Sequence, residues 1–175
     1  MPGYDAVASS EVVNKTAKAL KANGFATTVV ETQEEAKAAI LKLIPRGAEV
    51  FTATSKTLEV AGIDKIINES GDYNAQRPKL LEFAEKHPDK PKERKQIGTV
   101  VDYVIGSAQA ITQDGKIMVA SGTGSQLAAE VYGAEHVIYV VGTQKIVKDI
   151  ADGTNRIETH SVPLESKRLQ EVYNN

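Results

Sequence analysis

Apolar and small side chains near the start of the chain repeat at helical spacing. They are Val12, Val13, Thr16, Ala17 and Leu20. This periodicity predicts an amphipathic helix, which Asn23-Gly24 ends because glycine readily adopts the left-handed conformation of a helix terminus. Residues 26–30 follow with the composition of a strand. Thr32 and Glu35 then form a capping box, which satisfies free backbone N–H groups and predicts a second helix.

The next segment predicts a strand and a third helix before the pattern weakens. Residues 49–52 form a short strand after the break at Pro45-Arg46-Gly47, and Thr54-Ser55-Lys56 opens a helix. From about 63 to 98 the sequence is rich in charges, prolines and turn residues. We interpret this stretch as a charged surface excursion that contains one helix near residues 79–86.

The second half of the chain predicts a hairpin followed by a glycine turn. Residues 103–105 and 108–112 are extended. Gln113-Asp114-Gly115-Lys116 is typical of a hairpin turn, because Asp-Gly tolerates positive φ. Residues 117–120 form a short apolar strand that ends at a glycine-rich turn. An antiparallel pair is therefore expected beside the parallel strands.

The pattern after the glycine turn alternates between helix and strand. It predicts a helix over residues 126–132, a strand over 136–141 and a helix over about 144–151. An irregular stretch then reaches Pro163, and an amphipathic tail begins at Leu164. The order of elements indicates one α/β domain over residues 1–175, with a mostly parallel sheet and an antiparallel hairpin.

Composition narrows the class of protein. A chain of 175 residues with 41% hydrophobic content can bury one core, and its net charge of −2 gives no basic field that would favour nucleic acid or a membrane. The absence of cysteine excludes disulfides, a thiol nucleophile and an iron–sulfur cluster held by the chain itself. With no apolar leader and no run of about 20 apolar residues, we expect a cytoplasmic protein.

Three predicted strand-to-helix turns carry hydroxyl groups, and two of them also carry a lysine. They are Thr54-Ser55-Lys56, Gly122-Thr123-Gly124-Ser125 with Gln126 after it, and Gly142-Thr143-Gln144-Lys145. Turns that follow parallel strands lie at one edge of a sheet and expose N–H groups that bind anions. We therefore expect these residues to converge on a small anionic metabolite. The alternative is that serine and threonine cap helices and glycine allows close packing.

Known nucleotide motifs do not fit the glycine turn. A P-loop requires glycine followed by lysine and a hydroxyl residue, whereas Gly124 is followed by Ser125-Gln126. A dinucleotide fingerprint requires a small residue where Leu127 stands and an acidic residue at the end of the next strand, where Val141-Gly142 stands. We therefore expect no resident cofactor.

Candidate catalytic groups are few. His87, His136 and His160 lack the spacing of metal ligands, so no metal site is predicted. Ser125 has no neighbouring base and no nucleophile elbow. Glu130 is a weak candidate for a general base, because glutamate on such a helix more often faces solvent. This shortage of candidate catalytic groups favours a ligand-binding protein over an enzyme.

Four segments that span most of the chain match a known family pattern. They are FTATSKTLEVAGI, IINESGDYNAQR, VDYVIGSAQAITQDGKIMVASGTGSQLAAEVYGAEHVIYVVGTQKIV and RIETHSVPLESKRLQEVY. The sequence resembles the lactate-utilisation (LUD) domain family, which includes the LutC/YkgG-like proteins of bacterial lactate-oxidation operons. The resemblance implies a three-layer Rossmann-like fold of the NagB/RpiA/CoA-transferase-like superfamily, whose glycine loops bind phosphorylated or acyl ligands. Gly122-Thr123-Gly124-Ser125 resembles the isomerase-type loop.

Three functions stay open at this point. The first is an accessory or ligand-binding protein of lactate or hydroxy-acid utilisation, working beside separate iron–sulfur or flavin subunits. The second is an enzyme on a phosphorylated or CoA-linked metabolite, in which Lys56, Ser125 and Lys145 hold the anion and Glu130 moves protons. The third is a non-catalytic metabolite sensor. The resemblance favours the first, and a homodimer through the hairpin or C-terminal helix is compatible with the sequence.

Overall fold

The chain folds into two compact units. The structure, a computed structural model, describes residues 3–173 and gives only the backbone at positions 172 and 173. The sheet unit is formed by Val30–Ser107 and Ser121–Val140. The hairpin unit is formed by the described parts of Met1–Val29, Ala108–Ala120 and Val141–Asn175.

The strands and helices are short. The strands are β1 (Glu49–Thr52), β2 (Asn74–Ala75), β3 (Val101–Gly106), β4 (Ala110–Thr112), β5 (Ile117–Met118), β6 (Ala134–Tyr139) and β7 (Ile146–Val147). The α-helices are α1 (Ser10–Ala22), α2 (Gln33–Leu43), α3 (Lys56–Val60), α4 (Ile63–Glu69), α5 (Gln76–Lys86), α6 (Pro91–Gln96), α7 (Ile150–Arg156) and α8 (Val162–Tyr173). The remaining helical turns are π-helical at Ala129–Gly133 and Ile157–Ser161 and 3₁₀ at Thr143–Lys145.

The sheet unit is built on four parallel strands in the order β2-β1-β3-β6. Val50 of β1 lies opposite Tyr103 of β3, and Ile105 of β3 lies opposite Ile138 of β6. Because all four strands run in the same direction, their carboxyl ends lie at the same edge of the sheet.

Both faces of the parallel sheet are buried. Val50 and Ile105 pack in one apolar cluster with residues of α2, α3 and α4. Phe51 and Val104, whose side chains alternate to the opposite face, pack with Ala129 of the first π-helical turn. A parallel sheet flanked by helices confirms the prediction of an α/β, three-layer Rossmann-like fold.

Local sequence signals explain where the helices begin. The Ser9 hydroxyl accepts a hydrogen bond from the Val12 N–H group at 3.4 Å at the start of α1. At the start of α2, the Thr32 hydroxyl accepts from the Glu35 N–H at 3.1 Å, and the Glu35 carboxylate accepts from the Thr32 N–H at 3.4 Å. The predicted capping box is therefore confirmed.

The segment from 63 to 98 differs from the predicted surface excursion. Besides the expected helix, which is α5, it contains α4, α6 and β2, and β2 pairs with β1 in the sheet. Ile63 and Ile67 are 0% and 1% exposed and lie in the core of the sheet unit. The prediction was wrong because helices this short hold too few apolar positions to show a period among turn residues and charges.

Residues 26–30 form no strand within the described chain. Their backbone has no place in either sheet, and Phe25 and Val29 are 43% and 46% exposed. Strand composition alone is not sufficient, because a strand is stabilised by pairing and by packing on its neighbours.

The hairpin unit contains a second sheet, with three strands in the order β5-β4-β7. β4 and β5 are antiparallel, with Ile111 opposite Ile117, and β7 joins β4 in parallel. Leu20 of α1 packs with Ala108 and Ile111 in the core of this unit. The predicted hairpin is confirmed, but it belongs to this separate sheet and not to the parallel one.

The chain after β6 also differs from the sequence prediction. The helix predicted over residues 144–151 is wrong, because a 3₁₀ turn and β7 come first and α7 begins only at Ile150. The β-branched pair Ile146 and Val147 favours strand pairing over helix. The stretch before Pro163 is helical and not irregular, since α7, the second π-helical turn and α8 follow one another directly.

None of the helices in the described part of the chain is long and apolar enough to cross a bilayer. The expectations of a cytoplasmic location and of a single domain over residues 1–175 stay predictions.

The turn of the hairpin approaches α1 so closely that position 115 has no room for a side chain. Gly115 has a φ of +82°, and a Cβ atom built there would lie 2.7 Å from the Ala19 carbonyl carbon and 2.8 Å from the Leu20 nitrogen. The Asn23 side-chain amide donates to the Gly115 carbonyl oxygen at 2.9 Å. The register between hairpin and helix therefore depends on glycine at this position.

We expect Gly115→Ala to lower the free energy of unfolding by about 2–4 kcal/mol. The backbone strain of a side chain at positive φ and its steric overlap with α1 both contribute to this loss. Gly24→Ala is the matched control. Gly24 has a φ of +91°, but no heavy atom of the described residues lies within 4 Å of its built Cβ atom, so a loss of about 1 kcal/mol is expected. Urea denaturation measures both losses, and equal values would contradict a steric role for the contact with α1.

Candidate functional site

The carboxyl ends of β1, β3 and β6 form the edge at which open parallel sheets bind ligands. β1 leads into Ala53, β3 ends at Gly106, and β6 ends at Tyr139. Backbone hydrogen bonds hold these ends together: the Ala53 N–H donates to the Ile105 carbonyl at 2.8 Å, and the Val140 N–H donates to the Gly106 carbonyl at 2.9 Å. The edge is therefore a continuous backbone platform.

The turn after β1 borders a cavity of about 150 Å³. Its lining residues are Thr52, Ala53, Thr54, Ser55, Glu59, Asp64, Asn68 and Arg77. Arg77 donates a hydrogen bond to the Thr54 hydroxyl at 2.5 Å. Lys56 forms an exposed ion pair with Glu59 at 2.6 Å. Because the carboxylates of Glu59 and Asp64 offset the cations here, this turn attracts an anion less strongly than its sequence suggested.

The glycine turn satisfies part of its own hydrogen-bonding capacity. The Gly124 N–H donates to the Ser121 hydroxyl at 2.9 Å, and the Ser125 N–H donates to the Thr123 hydroxyl at 3.4 Å. The Ser121 hydroxyl donates to the Gln126 side-chain oxygen at 2.8 Å. A ligand would have to displace these hydroxyls to reach the two amides. Anion binding by this turn stays a prediction.

The setting of the glycine turn also differs from the one expected. It follows β5, which is antiparallel to β4, so the predicted step from a parallel strand into a helix is wrong. The helix predicted over residues 126–132 is present over residues 127–133, and it ends as the π-helical turn Ala129–Gly133. A helical segment this short adds little dipole to the turn.

Glu130 does not lie on a solvated face, contrary to the sequence expectation. It is half-buried, its carboxylate accepts a hydrogen bond from the Tyr139 hydroxyl at 3.2 Å, and its Oε1 lies 2.7 Å from the position a Cβ atom would take at Gly106. Burial raises the pKa of Glu130 and outweighs the opposing Tyr139 hydrogen bond. Burial and the Glu130 charge raise the pKa of Tyr139. The sheet edge thus carries a carboxyl group that retains its proton more readily than an exposed one.

In the hairpin unit, the turn from Gly142 to Lys145 is a 3₁₀ turn and does not begin an α-helix. The Lys145 N–H donates to the Gly142 carbonyl at 3.0 Å, with Thr143 at the start of the 3₁₀ segment. Lys145 is half-buried, and burial together with the positive charge of Arg156 lowers its pKa to about 8. Lys145 therefore lies where a positive charge is poorly solvated.

Arg156 is 4% exposed and is fixed on several sides. Its Nη1 donates to the Gln109 carbonyl oxygen, and to the Ser161 hydroxyl at 3.1 Å. The Tyr4 ring covers the guanidinium, with 5.7 Å between the Cζ atom and the ring centroid. The buried Nε has no hydrogen-bond partner among the described residues. Because most buried N–H groups are paired, this donor marks a position where an acceptor would be stabilised.

The charge of Arg156 is incompletely compensated. Burial lowers its pKa, and the opposing attraction comes first from Asp5 and then from Tyr4. Asp5 is a weak counter-ion, because its side chain is 87% exposed and lies 3.5 Å from His160 Nε2. The hairpin unit therefore holds two poorly solvated cations, Arg156 and Lys145.

Sequence reasoning identified Lys145 but missed Arg156, Tyr4 and Tyr139. Arg156 stands 47 positions from Gln109, which it contacts. No local motif signals such a pairing, because tertiary packing creates it. The available signal was an arginine in a segment with few other basic residues.

The three predicted turns fall in different units. Residues 54–56 and 122–125 belong to the sheet unit, and residues 142–145 belong to the hairpin unit. Their convergence on one crevice stays a prediction.

The histidines lie beside aromatic or acidic groups. His136 stacks on Tyr103 with 4.6 Å between ring centroids, and His87 lies 4.8 Å from the Phe83 ring. Within residues 3–173, no group of three or more histidine, aspartate or glutamate side chains is arranged to hold a metal ion.

The fold and its polar groups define an α/β protein with a half-buried carboxyl group at a parallel-sheet edge, and with a buried arginine and a half-buried lysine in its second unit. A family model described as the LUD domain matches residues 13–175. The chain therefore belongs to the lactate-utilisation (LUD) domain family, and the resemblance seen in its sequence is confirmed. No curated protein matches the chain.

Glu130→Gln should change how stability depends on pH. A carboxyl group whose pKa is raised by folding binds more protons in the folded state than in the unfolded state, so its contribution to stability falls as pH rises above its ordinary pKa of 4.5. We expect the free energy of unfolding of the wild type, relative to Glu130→Gln, to fall as pH rises above the ordinary pKa of 4.5. Urea denaturation at stepped pH measures this difference.

Glu135→Gln, an exposed change on β6, is the matched control. A difference between wild type and Glu130→Gln that does not vary with pH, or one that Glu135→Gln reproduces, would contradict the assignment.

Proposed function

We propose that this LUD-domain protein binds a small anionic metabolite, a carboxylate or a phosphate, at Lys145 and Arg156. We infer that it acts as an accessory or ligand-binding component of lactate or hydroxy-acid utilisation. The observation that carries the proposal is the buried Nε of Arg156, which has no partner among the described residues. Membership of the LUD family supports the metabolic setting.

An anion would relieve two unfavourable features of this site. A buried donor left unpaired costs about 1–3 kcal/mol, and an oxygen acceptor at Nε would remove that cost. A negative charge would also favour the protonated form of Lys145, whose pKa of about 8 reflects burial and the nearby Arg156. Guanidinium and ammonium groups are the donors that proteins use for carboxylates and phosphates.

Two observations support the accessory role. The chain has no cysteine to ligate an iron–sulfur cluster of its own, and in this proposal iron–sulfur or flavin subunits in trans supply the electron chemistry of hydroxy-acid oxidation. The first π-helical turn exposes Val131 and Tyr132, which are 80% and 94% exposed. Exposed apolar side chains of this size are typical of surfaces that contact other proteins.

A second candidate is an enzyme acting on a phosphorylated or CoA-linked metabolite. The pair of Glu130 and Tyr139 favours it, because a half-buried carboxyl group with a raised pKa keeps its proton to higher pH than an exposed one and can therefore act as a general acid. Binding is preferred, because the Arg156 Nε is a buried donor without a partner among the described residues, whereas the Glu130 carboxylate already accepts a hydrogen bond from the Tyr139 hydroxyl. Ligand turnover that is lost in Glu130→Gln would favour the enzyme, and ligand binding without turnover would favour a carrier or a sensor.

Small anions should stabilise the protein through Lys145. We expect lactate, a sugar phosphate or acyl-CoA to raise the melting temperature of the wild type, and Lys145→Gln to weaken the apparent affinity about tenfold or more, since it removes one charged donor. Thermal-shift titration measures both effects. Lys148→Gln, at an exposed lysine three positions on, should keep the wild-type response. Equal responses in both variants would contradict the site.

The affinity for the anion should also depend on pH. Because Lys145 has a pKa of about 8 in the free protein, affinity should fall as pH rises through that value and the ammonium loses its proton. Lys145→Arg keeps its charge over this range, so its affinity should show no such fall. Calorimetric titration at stepped pH measures the profile, and identical profiles for wild type and Lys145→Arg would exclude Lys145 as the titrating group.

A further inference from the structure

We propose that β6 pairs in an antiparallel arrangement with β6 of a second copy of this chain, with a two-fold axis at Val137. The four-stranded sheets of the two copies then join into one continuous sheet. The contact lies in the sheet unit, and it is independent of the anion site in the hairpin unit.

The two edges of the parallel sheet differ in length. The edge strand β2 has only two residues, and very short edge strands are a common protection against unwanted pairing. The other edge strand, β6, has six residues, and among the described residues no strand lies beyond it. It contains no proline or lysine, which commonly protect an edge, and its central side chains are exposed. The β6 edge is therefore open to pairing with another strand.

The outward backbone groups of β6 are arranged symmetrically. The Val140 N–H, directly after β6, donates to the Gly106 carbonyl oxygen of β3 at 2.9 Å. Because the backbone groups of successive residues in a strand point in alternate directions, those of Glu135, Val137 and Tyr139 point away from β3. Val137 is the middle residue of these three.

This symmetry selects a second copy of the chain and fixes the register. In an antiparallel pair centred on Val137, the three outward residues of one copy meet the three of the other. Val137 lies opposite Val137, and Glu135 lies opposite Tyr139, so each opposed pair can exchange two backbone hydrogen bonds. An axis one residue away leaves one outward residue of each strand without a partner in the other. An edge that is its own complement is what an isologous two-fold contact requires.

The side chains are compatible with the same register. Val137 is 39% exposed, and the axis places its side chain beside the equivalent valine, which buries apolar surface. The acidic Glu135 lies opposite a tyrosine and not opposite itself, so the pairing avoids the like-charge contact that destabilises opposed strands. Backbone and side chains therefore favour the same arrangement.

Sedimentation velocity of the full chain over a range of concentrations tests the proposal. We expect the wild type to reach the mass of a dimer. Val137→Lys should raise the dimer dissociation constant at least about tenfold, because two like charges then lie opposite one another. Val137→Glu should do the same, and an equimolar mixture of the two variants should restore the dimer. Leu81→Lys, at a 56% exposed side chain of α5, is the control and should leave the dimer unchanged.

Cross-linking tests the register separately. The chain has no cysteine, so Val137→Cys and the control Leu81→Cys each carry a single thiol. Opposed Cα atoms in a hydrogen-bonded antiparallel pair are about 5.5 Å apart, within reach of a short bis-methanethiosulfonate reagent. We expect Val137→Cys to be cross-linked at least about tenfold faster than Leu81→Cys, because the dimer holds its two thiols at a high effective concentration.

The outcomes decide the proposal in either direction. A wild type that stays monomeric at every concentration overturns it. A dimer that folded Val137→Lys leaves intact also overturns it, because the interface then lies elsewhere. Circular-dichroism melting curves show whether each variant is folded. If Val137→Lys and Val137→Glu do not fold, the cross-linking decides alone, and a rate for Val137→Cys no higher than that for Leu81→Cys excludes the pairing of β6.

Discussion

The burial of the Arg156 guanidinium is the constraint on which the chemistry of this protein depends. A permanently charged group is removed from water, is held by a backbone carbonyl and a hydroxyl, and is covered by the Tyr4 ring. These neutral contacts leave its charge incompletely compensated and its Nε without an acceptor among the described residues. The same charge contributes to the lowered pKa of Lys145. One desolvated cation therefore contributes to the shifted ionisation of both basic groups in the hairpin unit.

The sheet unit carries a half-buried carboxyl group, whereas the hairpin unit carries cations. Burial raises the pKa of Glu130, so this carboxyl group holds its proton more tightly than in water, and the Tyr139 hydroxyl fixes its position. Gly106 allows the arrangement, because a side chain there would meet the carboxylate oxygen. Each unit thus contains ionisable groups whose pKa is shifted by burial, which is typical of proteins that bind or transform ligands.

Sequence patterns predicted the elements whose signals are local. The capping box at Thr32, strand β1 and the hairpin closed near Gly115 all depend on residues close together in the chain. The predictions failed where tertiary contacts decide the structure. Residues 26–30 have strand composition but no partner, whereas α4 lies in a polar segment and is buried by the sheet. Periodicity reports which side chains prefer burial and does not report what covers them.

The residues of the candidate site also differ in whether a local sequence signal or a tertiary contact defines them. Lys145 was predicted because it stands in a glycine and threonine turn, although that turn proved to be 3₁₀ and not the start of an α-helix. Arg156 could not be predicted, since its environment is assembled from residues distant in the chain.

The most direct test of the central claim is the NMR signal of the Arg156 Nε–H group, assigned with Arg156→Lys, during titration with lactate or phosphate. The account predicts a saturable shift of this signal and slower exchange of its proton with water. An unchanged Nε–H signal at anion concentrations that stabilise the protein would contradict it.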